Sequence, residues 1–317
     1  MGRSLVTYAA GVLVVAVIVA CGGNQRPAPS GSLYGQATPA RSPSSTPTAS
    51  PSPTAAAPSA PPIVATMPHV FVLVMENTGL NRALRAQPIA RLASANGLAT
   101  NYHAVATPSL PNYLALTSGS TWGIADNAYQ SLPAGEDLGA QLTGAGVSWR
   151  AYMEGMTTAG GCMRSPYPYA LKHNPFAYYG GECPANVVPI EALDADLAGV
   201  TPSFTWITPG LCHDGHDCTP EVAGAWLDEA VARITSSDAW RSSGMLFIVW
   251  DEGDGGSDLV PLIVITEDAT AIRVETQFDH YSLLATIEDL YGLPRLGAAK
   301  TARTLTQLLP ARHALNR

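Results

Sequence analysis

Two unbroken apolar runs, each ending in a pair of acidic or amide side chains, constrain the fold more than any other feature of the sequence. Residues 69–75 lead into Glu76-Asn77, and residues 245–250 lead into Asp251-Glu252. Runs rich in β-branched and aromatic residues are typical of strands buried on both faces, as in parallel sheets covered by helices. Helical patterns alternate with such runs along the chain. The sequence therefore predicts an α/β fold, a three-layer α/β/α sandwich around a mostly parallel central sheet.

The side chains that end the two runs are all oxygen donors. In open α/β sheets the functional crevice lies outside the carboxyl ends of the strands. If the two strands lie side by side, Glu76, Asn77, Asp251 and Glu252 converge there and form a site for a divalent cation. Oxygen ligands suit Mg²⁺ or Ca²⁺, while Zn²⁺ and Mn²⁺ stay open. Taken singly, either pair could equally consist of loop acids or a helix cap.

A serine held between two prolines stands between these runs in the sequence. Pro108 and Pro111 fix their own φ and push the preceding residues toward extended geometry, so Ser109 lies in a stiff turn. The apolar residues that follow can form a helix, since proline is tolerated in a first turn. A hydroxyl at a helix entrance faces free backbone N–H groups and a positive dipole end, which suits a phosphate. Ser109 is therefore a candidate nucleophile, with an ordinary cap and turn as the structural alternative.

Five short motifs occur in one order and together resemble a known family. They are Val74-Met75-Glu76-Asn77, Pro108-Ser109-Leu110-Pro111-Asn112-Tyr113-Leu114-Ala115-Leu116, His213-Asp214-Gly215-His216-Asp217, Trp250-Asp251-Glu252-Gly253-Asp254 and His280-Tyr281-Ser282-Leu283-Leu284. This order is similar to that of the phosphoesterase family of bacterial acid phosphatases and phospholipases C, within the alkaline phosphatase superfamily. The nearest likeness is to secreted acid phosphatases of actinobacteria. The resemblance covers residues 68–309 and implies an alkaline-phosphatase-like fold.

The resemblance also implies an activity. It implies a metal-dependent hydrolase, an acid phosphatase that cleaves phosphate monoesters through a phosphoserine formed on Ser109. Its substrates would be small phosphorylated molecules or phospholipid head groups. The metal ligands implied by the family are the four side chains already singled out, Glu76, Asn77, Asp251 and Glu252.

Histidine is the side chain whose pKa suits phosphate contact and proton donation at mildly acidic pH. The catalytic candidates beside the serine are His213, His216 and His280, and substrate contacts are expected from Asn112, His213 and His216. The segment Lys172-His173-Asn174-Pro175 resembles a further element of the family. We interpret His173 as a packed structural residue.

Three other functions are alternatives to a phosphatase. A sulfatase would share the fold, but that class needs a modifiable Cys or Ser followed by x-Pro-x-Arg, and Ser109 is followed by Leu110-Pro111-Asn112-Tyr113. A phospholipase C-like phosphodiesterase is the enzymatic alternative, which turnover of a diester would distinguish. A surface lipoprotein that keeps the fold as a binding module is the non-enzymatic alternative. A binding module has no need of a nucleophile, and Ser109 with all four oxygen donors argues against it.

The amino-terminal part of the chain indicates export. Residues 1–21 predict a lipoprotein signal peptide, with an early arginine, an apolar run and Ile18-Val19-Ala20-Cys21, which resembles a lipobox. Cys21 would then carry the lipid, whereas a plain transmembrane anchor would need a longer apolar run. Residues 22–66 are rich in Pro, Ser, Thr and Ala and predict a disordered stalk. Residues 67–317 form the predicted phosphoesterase domain. We expect this domain outside the cytoplasm, either held on the outer surface of the cell membrane by a lipid on Cys21 or secreted.

Four cysteines remain after Cys21, and an even number in an exported domain predicts two disulfides. Four cysteines allow three pairings, and proximity in sequence favours Cys162–Cys183 and Cys212–Cys218. A zinc site would need paired short cysteine spacings, which are missing.

The charge of the chain argues against nucleic acid as a binding partner. The net charge is −8 and 13% of residues are charged, so no basic patch indicates nucleic acid. We expect a monomer whose partners are its substrate and, through the lipid, a membrane.

Two local patterns predict how single elements are placed. Pro261 lies within the apolar run 259–266, and proline in a strand indicates an edge position. A helix that begins after Thr219 shows an apolar stripe expected to face the core, formed by Val222, Trp226, Ala230, Val231 and Ile234.

Overall fold

The computed structural model describes residues 67–158, 160–268 and 271–310. The predicted signal peptide (residues 1–21), with Cys21 as its predicted lipidation site, and the predicted stalk (residues 22–66) lie outside these residues. Within them, no helix is long and apolar enough to cross a membrane.

One twisted sheet forms the centre of the fold and confirms the predicted α/β class. In the described residues it has nine strands, in the order β4-β3-β5-β1-β6-β7-β2-β8 with β9 also paired to β2. Every neighbouring pair is parallel except the two pairs that include β7. The strands are β1 (His69–Met75), β2 (Gly97–His103), β3 (Trp149–Met153), β4 (Val187–Pro189), β5 (Phe204–Thr208), β6 (Gly244–Trp250), β7 (Leu259–Thr266), β8 (Ile272–Val274) and β9 (Phe278–Asp279).

The two predicted apolar runs are neighbours in this sheet. β1 pairs with β6 in parallel register, and the last pair of the ladder is Met75 with Trp250. All residues of β6 are buried, as are all of β1 except its first, because helices cover both faces. The side chains that follow Met75 and Trp250 consequently emerge side by side at the carboxyl edge of the sheet.

The edge position expected from Pro261 is wrong. β7 lies in the interior of the sheet, antiparallel to both β6 and β2. Its register with β2 shifts between the pairs Leu262–Ala99 and Val260–Tyr102, so two residues of β2 oppose the single Pro261. On the other side the ladder with β6 extends only to Leu262. A bulge removes the ladder hydrogen bond that proline cannot donate, which is how an interior strand accommodates it.

Helices form the two outer layers. In one layer α2 packs against α6, with α5 and α7 beside it; in the other, α3 packs against α8 and α4. The helices are α1 (Leu80–Ala83), α2 (Gln87–Ala95), α3 (Ser109–Ser118), α4 (Leu138–Gly144), α5 (Ala192–Ala198), α6 (Pro220–Thr235), α7 (Asp238–Ser243) and α8 (His280–Tyr291). Loops with short 3₁₀ turns connect the remaining parts.

The apolar stripe predicted on α6 is only partly buried. Ala230, Val231 and Ile234 lie in the core as expected, whereas Val222 is 45% exposed and Trp226 is half-buried. The buried positions in the first turns are instead Ala223, Gly224 and Leu227. In the first turns of α6, Ala223, Gly224 and Leu227 thus lie on the buried face, and Val222 and Trp226 point away from it.

Helix α3 is buried along its whole length and starts at the predicted nucleophile. Ser109 is its first residue and Pro111 lies in its first turn, where a missing N–H costs no hydrogen bond. Gly119 ends the helix at φ 68°, and a Cβ there would lie 2.5 Å from the carbonyl oxygen of Leu296. The carboxyl end of α3 therefore packs closely against the backbone at Leu296.

Candidate active site

Ser109 lies between two carboxylates at the carboxyl edge of the sheet. Its Oγ donates toward Glu76 Oε2 at 3.1 Å and toward Glu252 Oε1 at 3.2 Å. Glu76 follows β1 and Glu252 follows β6, so the adjacency of these strands sets the spacing. All three side chains are buried. The hydroxyl can lose its proton to either oxygen, which is the first requirement of a serine nucleophile.

The other two predicted metal ligands meet at the same place. Asp251 Oδ1 accepts the backbone N–H of Asn77 at 3.1 Å, which joins the ends of the two strands directly. Asn77 has a left-handed backbone with φ 48°, a conformation that asparagine tolerates better than most residues. The structure therefore brings Glu76, Asn77, Asp251 and Glu252 together.

Asn112 braces the turn that presents Ser109. Its Oδ1 accepts the backbone N–H groups of Val105 and Ala106, each at 3.0 Å. Its Nδ2 donates to the carbonyl oxygens of Ala106 and Pro108. The amide is fully buried and both its ends are engaged, so it positions the nucleophile rather than facing a substrate.

A buried histidine compensates the charge of Glu76. His173 Nε2 lies 3.1 Å from Glu76 Oε1, and its Nδ1 lies 3.3 Å from Asp214 Oδ2. Burial alone would lower the pKa of His173, but the two carboxylates outweigh it and raise that pKa above its usual range. Burial would likewise raise the pKa of Glu76, but His173 and then Lys172 hold it below its usual range. Tyr113 stacks on the His173 ring, with the ring centroids 5.2 Å apart.

Asp214 connects this histidine to the loop that carries His216. Its Oδ1 accepts the backbone N–H of His216 at 2.7 Å, and its own carbonyl oxygen accepts the N–H of Glu76 at 2.8 Å. The neighbouring Gly215 has φ 98°, which allows the chain to turn back over Asp214. One fully buried aspartate thereby fixes three residues of the site.

His216 holds a defined tautomer. Lys172 Nζ lies 2.9 Å from its Nε2, and Asp217 Oδ1 lies 2.7 Å from its Nδ1. An ammonium only donates and a carboxylate only accepts, so Nε2 accepts from Lys172 and the Nδ1–H donates to Asp217. Of the three histidines predicted as catalytic, His216 is the one that lines the cavity described below.

His213 lies beside the site rather than within the cavity. Its Nδ1 is 2.7 Å from Glu154 Oε1, and its ring stacks on Trp226 with a centroid distance of 5.7 Å. The other oxygen of Glu154 accepts the N–H of Gly210 at 2.7 Å. The three residues His213, Glu154 and Trp226 thus anchor the loop 210–218 at its base.

His280 lies behind Asp251. Its Nε2 donates to the Asp251 carbonyl oxygen at 2.6 Å, because a carbonyl oxygen only accepts, and its Nδ1 accepts from the Tyr102 hydroxyl at 3.0 Å. Burial lowers the pKa of His280 to about 4, which keeps the ring neutral. Both nitrogens are engaged, so in this structure His280 supports the end of β6 and has no free donor for a phosphate.

A polar cavity of about 610 Å³ opens in front of the carboxylates. One end is formed by Asn77, Thr107, His216 and Glu252, of which Glu252 accepts a hydrogen bond from Ser109 and Thr107 precedes Ser109 by two residues. The rest is lined by Arg82, by residues 217–219 and by the loop 253–256. The cavity gives a ligand access to the surroundings of the nucleophile.

The chemistry of these oxygen donors suits a divalent cation, although Glu76, Asp251 and Glu252 do not form a group whose ligand atoms all lie within 4.8 Å of one another. Asp251 is fully buried, and its Oδ2 has no hydrogen-bond partner among the described residues. Burial, and then the charges of Glu76 and Glu252, raise the pKa of Asp251 well above its usual range. A cation would satisfy the unpartnered oxygen and relieve the repulsion. Glu76, His173 and His216 form a second possible set, with one ligand atom from each within 4.8 Å of the others.

Sequence reasoning missed several of these contacts. His173 was expected to be structural, yet it is both buried and in contact with Glu76. Asp214, Lys172 and Glu154 were given no role. The Lys-His pair and the acid within His213-Asp214-Gly215-His216 were visible signals, but their partners are distant in sequence. Nothing in the sequence around Glu154 indicated its contact with His213.

Both predicted disulfides are present. Cys212 is bonded to Cys218 across a sequence separation of 6, and Cys162 to Cys183 across 21. The small ring encloses Asp214 and His216. The larger ring encloses His173, but it is also anchored by Phe176 and Tyr178, which lie in the core.

Comparison with known proteins identifies relatives of the whole folded region. Residues 83–294, more than half of the 317-residue chain, match the sequence model of the Phosphoesterase family. A phosphate-repressible acid phosphatase of Penicillium chrysogenum is 29% identical, over 70% of this chain and 58% of its own length. A phosphatidylinositol-3-phosphatase of Mycobacterium tuberculosis is 28% identical, over 77% of this chain and 83% of its own length. The chain spans about 60% of the length of the fungal acid phosphatases that it matches.

A solved structure from the alkaline phosphatase superfamily shares the fold. This protein of Vibrio parahaemolyticus superposes with a TM-score of 0.54 at 12% sequence identity, over 78% of this chain and 72% of that one. At this identity the likeness concerns the fold alone, and it agrees with the three-layer architecture.

The two disulfides should differ in what their loss costs. Replacing Cys212 and Cys218 together by serine should lower turnover of a phosphate ester by at least tenfold, because Asp214 and His216 lose their fixed loop. Loop-closure entropy gives this small ring about 2 kcal/mol of stabilisation and the larger ring about 3 kcal/mol. The matched double replacement of Cys162 and Cys183 should therefore cost more in the free energy of unfolding and less in turnover. Urea denaturation and initial rates on the two variants measure this, and equal losses of turnover would contradict it.

Proposed function

Because this chain belongs to the Phosphoesterase family, we propose that it is a metal-dependent hydrolase that cleaves phosphate monoesters through Ser109. The observation that carries this proposal is the position of Ser109 Oγ, 3.1 Å and 3.2 Å from two carboxylate oxygens at the entrance of a buried helix. A binding module needs no hydroxyl with two proton acceptors at that point. The names of the relatives favour phosphate monoesters over diesters as substrates.

In the first step, Ser109 Oγ forms a bond to phosphorus and the bond from phosphorus to the leaving oxygen breaks. The hydroxyl proton passes to Glu252 Oε1, 3.2 Å away, because Glu76 is already paired with His173. The transferred group lies at the start of α3, where a helix terminus favours negative charge.

The leaving oxygen takes its proton from the pair formed by His216 and Lys172. We assign this role to His216 rather than to His213 or His280. His216 lines the cavity, whereas Glu154 and Trp226 hold His213 aside and His280 lies behind Asp251, outside the cavity lining. Because His216 Nε2 carries no proton of its own, the proton starts on Lys172 Nζ, 2.9 Å away, and passes through Nε2 to the leaving oxygen.

In the second step, a water molecule attacks the phosphoserine. Phosphate is released, and Ser109 regains its proton from Glu252. The water forms its bond to phosphorus as the bond from phosphorus to Ser109 Oγ breaks. The water's proton passes to the His216–Lys172 pair, which thereby regains the proton that it gave to the leaving oxygen.

Glu76, Asn77, Asp251 and Glu252 would hold the divalent cation, whose identity we leave among Mg²⁺, Ca²⁺, Zn²⁺ and Mn²⁺. When bound, such an ion neutralises the carboxylates, lowers the pKa of the serine hydroxyl and binds a non-bridging phosphoryl oxygen. The support is chemical: oxygen donors, a buried carboxylate oxygen without a partner, and carboxyl groups that repel one another without a counter-charge.

Replacing Ser109 by alanine should reduce turnover of p-nitrophenyl phosphate by at least a thousandfold, because loss of the nucleophile removes a concerted group. The control is Ser118→Ala, the same change at the other end of α3, whose hydroxyl bonds to Leu114 and Trp122 outside the site. Circular dichroism of both variants should show a retained fold. If Ser109→Ala keeps more than about a tenth of the turnover, Ser109 is not the nucleophile.

Removing the cation should abolish turnover and lower the melting temperature, because like charges a few ångströms apart repel by several kcal/mol at intermediate dielectric. Binding of the ion to the folded state alone gives the added stability. In the Asp251→Asn variant, cation removal should change turnover and melting temperature much less, since one buried charge is lost at unchanged volume. A chelator titration followed by calorimetry tests this. Unchanged turnover and melting temperature in demetallated protein would exclude the metal mechanism.

We propose that the protein is exported and anchored by a lipid on Cys21, on the grounds of the sequence of residues 1–66 alone. Labelled palmitate fed to producing cells should be incorporated into the protein, and Cys21→Ser should abolish the label and release the protein from the membrane fraction. Full-length protein that stays in the cytosolic fraction, unlabelled, would refute this.

A further inference from the structure

The cavity in front of Ser109 has an outer part that a single phosphoryl group would leave empty. Its volume is about 610 Å³, and only one end is formed by residues next to the nucleophile. The outer part lies between the loops 215–219 and 253–256, with Arg82 from α1 along its side. A substrate cleaved at Ser109 would therefore extend its leaving group into this outer part.

The outer part suits a polar leaving group. Among its lining residues within the described chain, none is aromatic and none is a large aliphatic side chain. The wall consists of glycine backbone, hydroxyl and carboxylate groups, and one guanidinium. Most small-molecule sites are lined by hydrophobic and aromatic side chains, so this lining disfavours an acyl chain or an aromatic ring and favours a polyol.

Arg82 is the one lysine or arginine among these lining residues. Its closest charged partner is Asp254, with Nη1 and Oδ2 3.4 Å apart and the two side chains 43% and 41% exposed. The Arg295–Asp289 pair is a tighter ion pair for comparison. Arg295 Nη2 lies 2.6 Å from Asp289 Oδ2, and both side chains are about one tenth exposed. An exposed pair at long distance contributes little, so Arg82 loses little by turning to another anion.

The carboxylates nearby have partners of their own. Asp254 Oδ1 accepts the backbone N–H of Gly79 at 2.9 Å, and Asp217 Oδ1 lies 2.7 Å from His216 Nδ1. Their charges are therefore partly compensated within the protein. The guanidinium keeps donors for a ligand, and a guanidinium binds a phosphate with two parallel hydrogen bonds.

We propose that Arg82 forms an anion subsite that takes a second phosphate of a polar, polyhydroxylated substrate whose other phosphate is cleaved at Ser109. This inference rests on the proposed function, since it names the class of substrate for that site. It predicts a preference for substrates with two phosphate groups over the same molecule with one.

The kinetic test compares fructose 1,6-bisphosphate with fructose 6-phosphate, using the full chain with a divalent cation present. The wild type should show a kcat/KM ratio of about tenfold or more in favour of the bisphosphate, beyond the factor of two given by its two cleavable groups. Arg82→Gln should bring the ratio close to that statistical factor. The ratio of the wild type should also fall as salt is raised, because the subsite is partly exposed.

The matched control is Arg85→Gln. Arg85 is a neighbouring exposed arginine that donates to the Asn81 carbonyl oxygen and does not line the cavity. It has the same charge and lies two residues past the end of α1. This variant should keep the wild-type ratio. Equal loss of preference in both variants would mean that general surface charge is responsible and would overturn the subsite.

A binding measurement separates this inference from the proposed chemistry. Isothermal titration calorimetry on Ser109→Ala should give a Kd for fructose 1,6-bisphosphate about tenfold lower than for fructose 6-phosphate. Adding Arg82→Gln should remove the difference. If the wild type hydrolyses no phosphate ester, the proposed function fails, yet the calorimetry still decides on the subsite. Equal Kd values for the two sugars, or a difference that survives Arg82→Gln, would overturn it.

Discussion

Repulsion between carboxylates at the ends of β1 and β6 is the constraint on which the rest of the site depends. The parallel pairing of the two strands places Glu76 beside Asp251 and Glu252 in a buried space. Such charges interact strongly because little water screens them. The protein compensates part of this charge with His173, which lies against Glu76, and leaves one oxygen of Asp251 without a partner. The incomplete compensation is what makes a cation site chemically reasonable here.

Two loops meet at His173, and each is closed by a disulfide. The larger brings His173 to Glu76, and the smaller brings Asp214 to the other side of the same imidazole. Asp214 also accepts the N–H of His216, and its carbonyl oxygen accepts the N–H of Glu76 at the end of β1. The site is therefore formed jointly by the sheet and the loops. The positions of Glu76 and Asp214 are coupled to those of His173 and His216 by these contacts.

The inner and outer parts of the cavity are built differently. Around Ser109 the side chains are buried and held by several hydrogen bonds, as for Asn112 below the nucleophile and His280 behind Asp251. The outer part is polar, open and lined largely by glycine backbone. A rigid inner end suits in-line attack on a small, invariant group, and an open outer end suits leaving groups of varied shape. This division agrees with membership of the Phosphoesterase family, which the sequence motifs had predicted.

Local signals in the sequence predicted the fold class and the two central strands and favoured the cysteine pairing that the structure contains, while the roles of Ser109 and of the four oxygen donors stay predictions. Those local signals are apolar runs, proline spacing and cysteine proximity. Only the tertiary structure decided what each histidine contacts. His173 faces Glu76 across 97 residues of sequence, and His280 faces Asp251 instead of the cavity. It likewise decided that Pro261 lies opposite a bulge in an interior strand and that Val222 is exposed. Periodicity shows that a side chain is apolar or polar, but its partner depends on how distant segments pack. That packing is a property of the whole chain, which no local pattern contains.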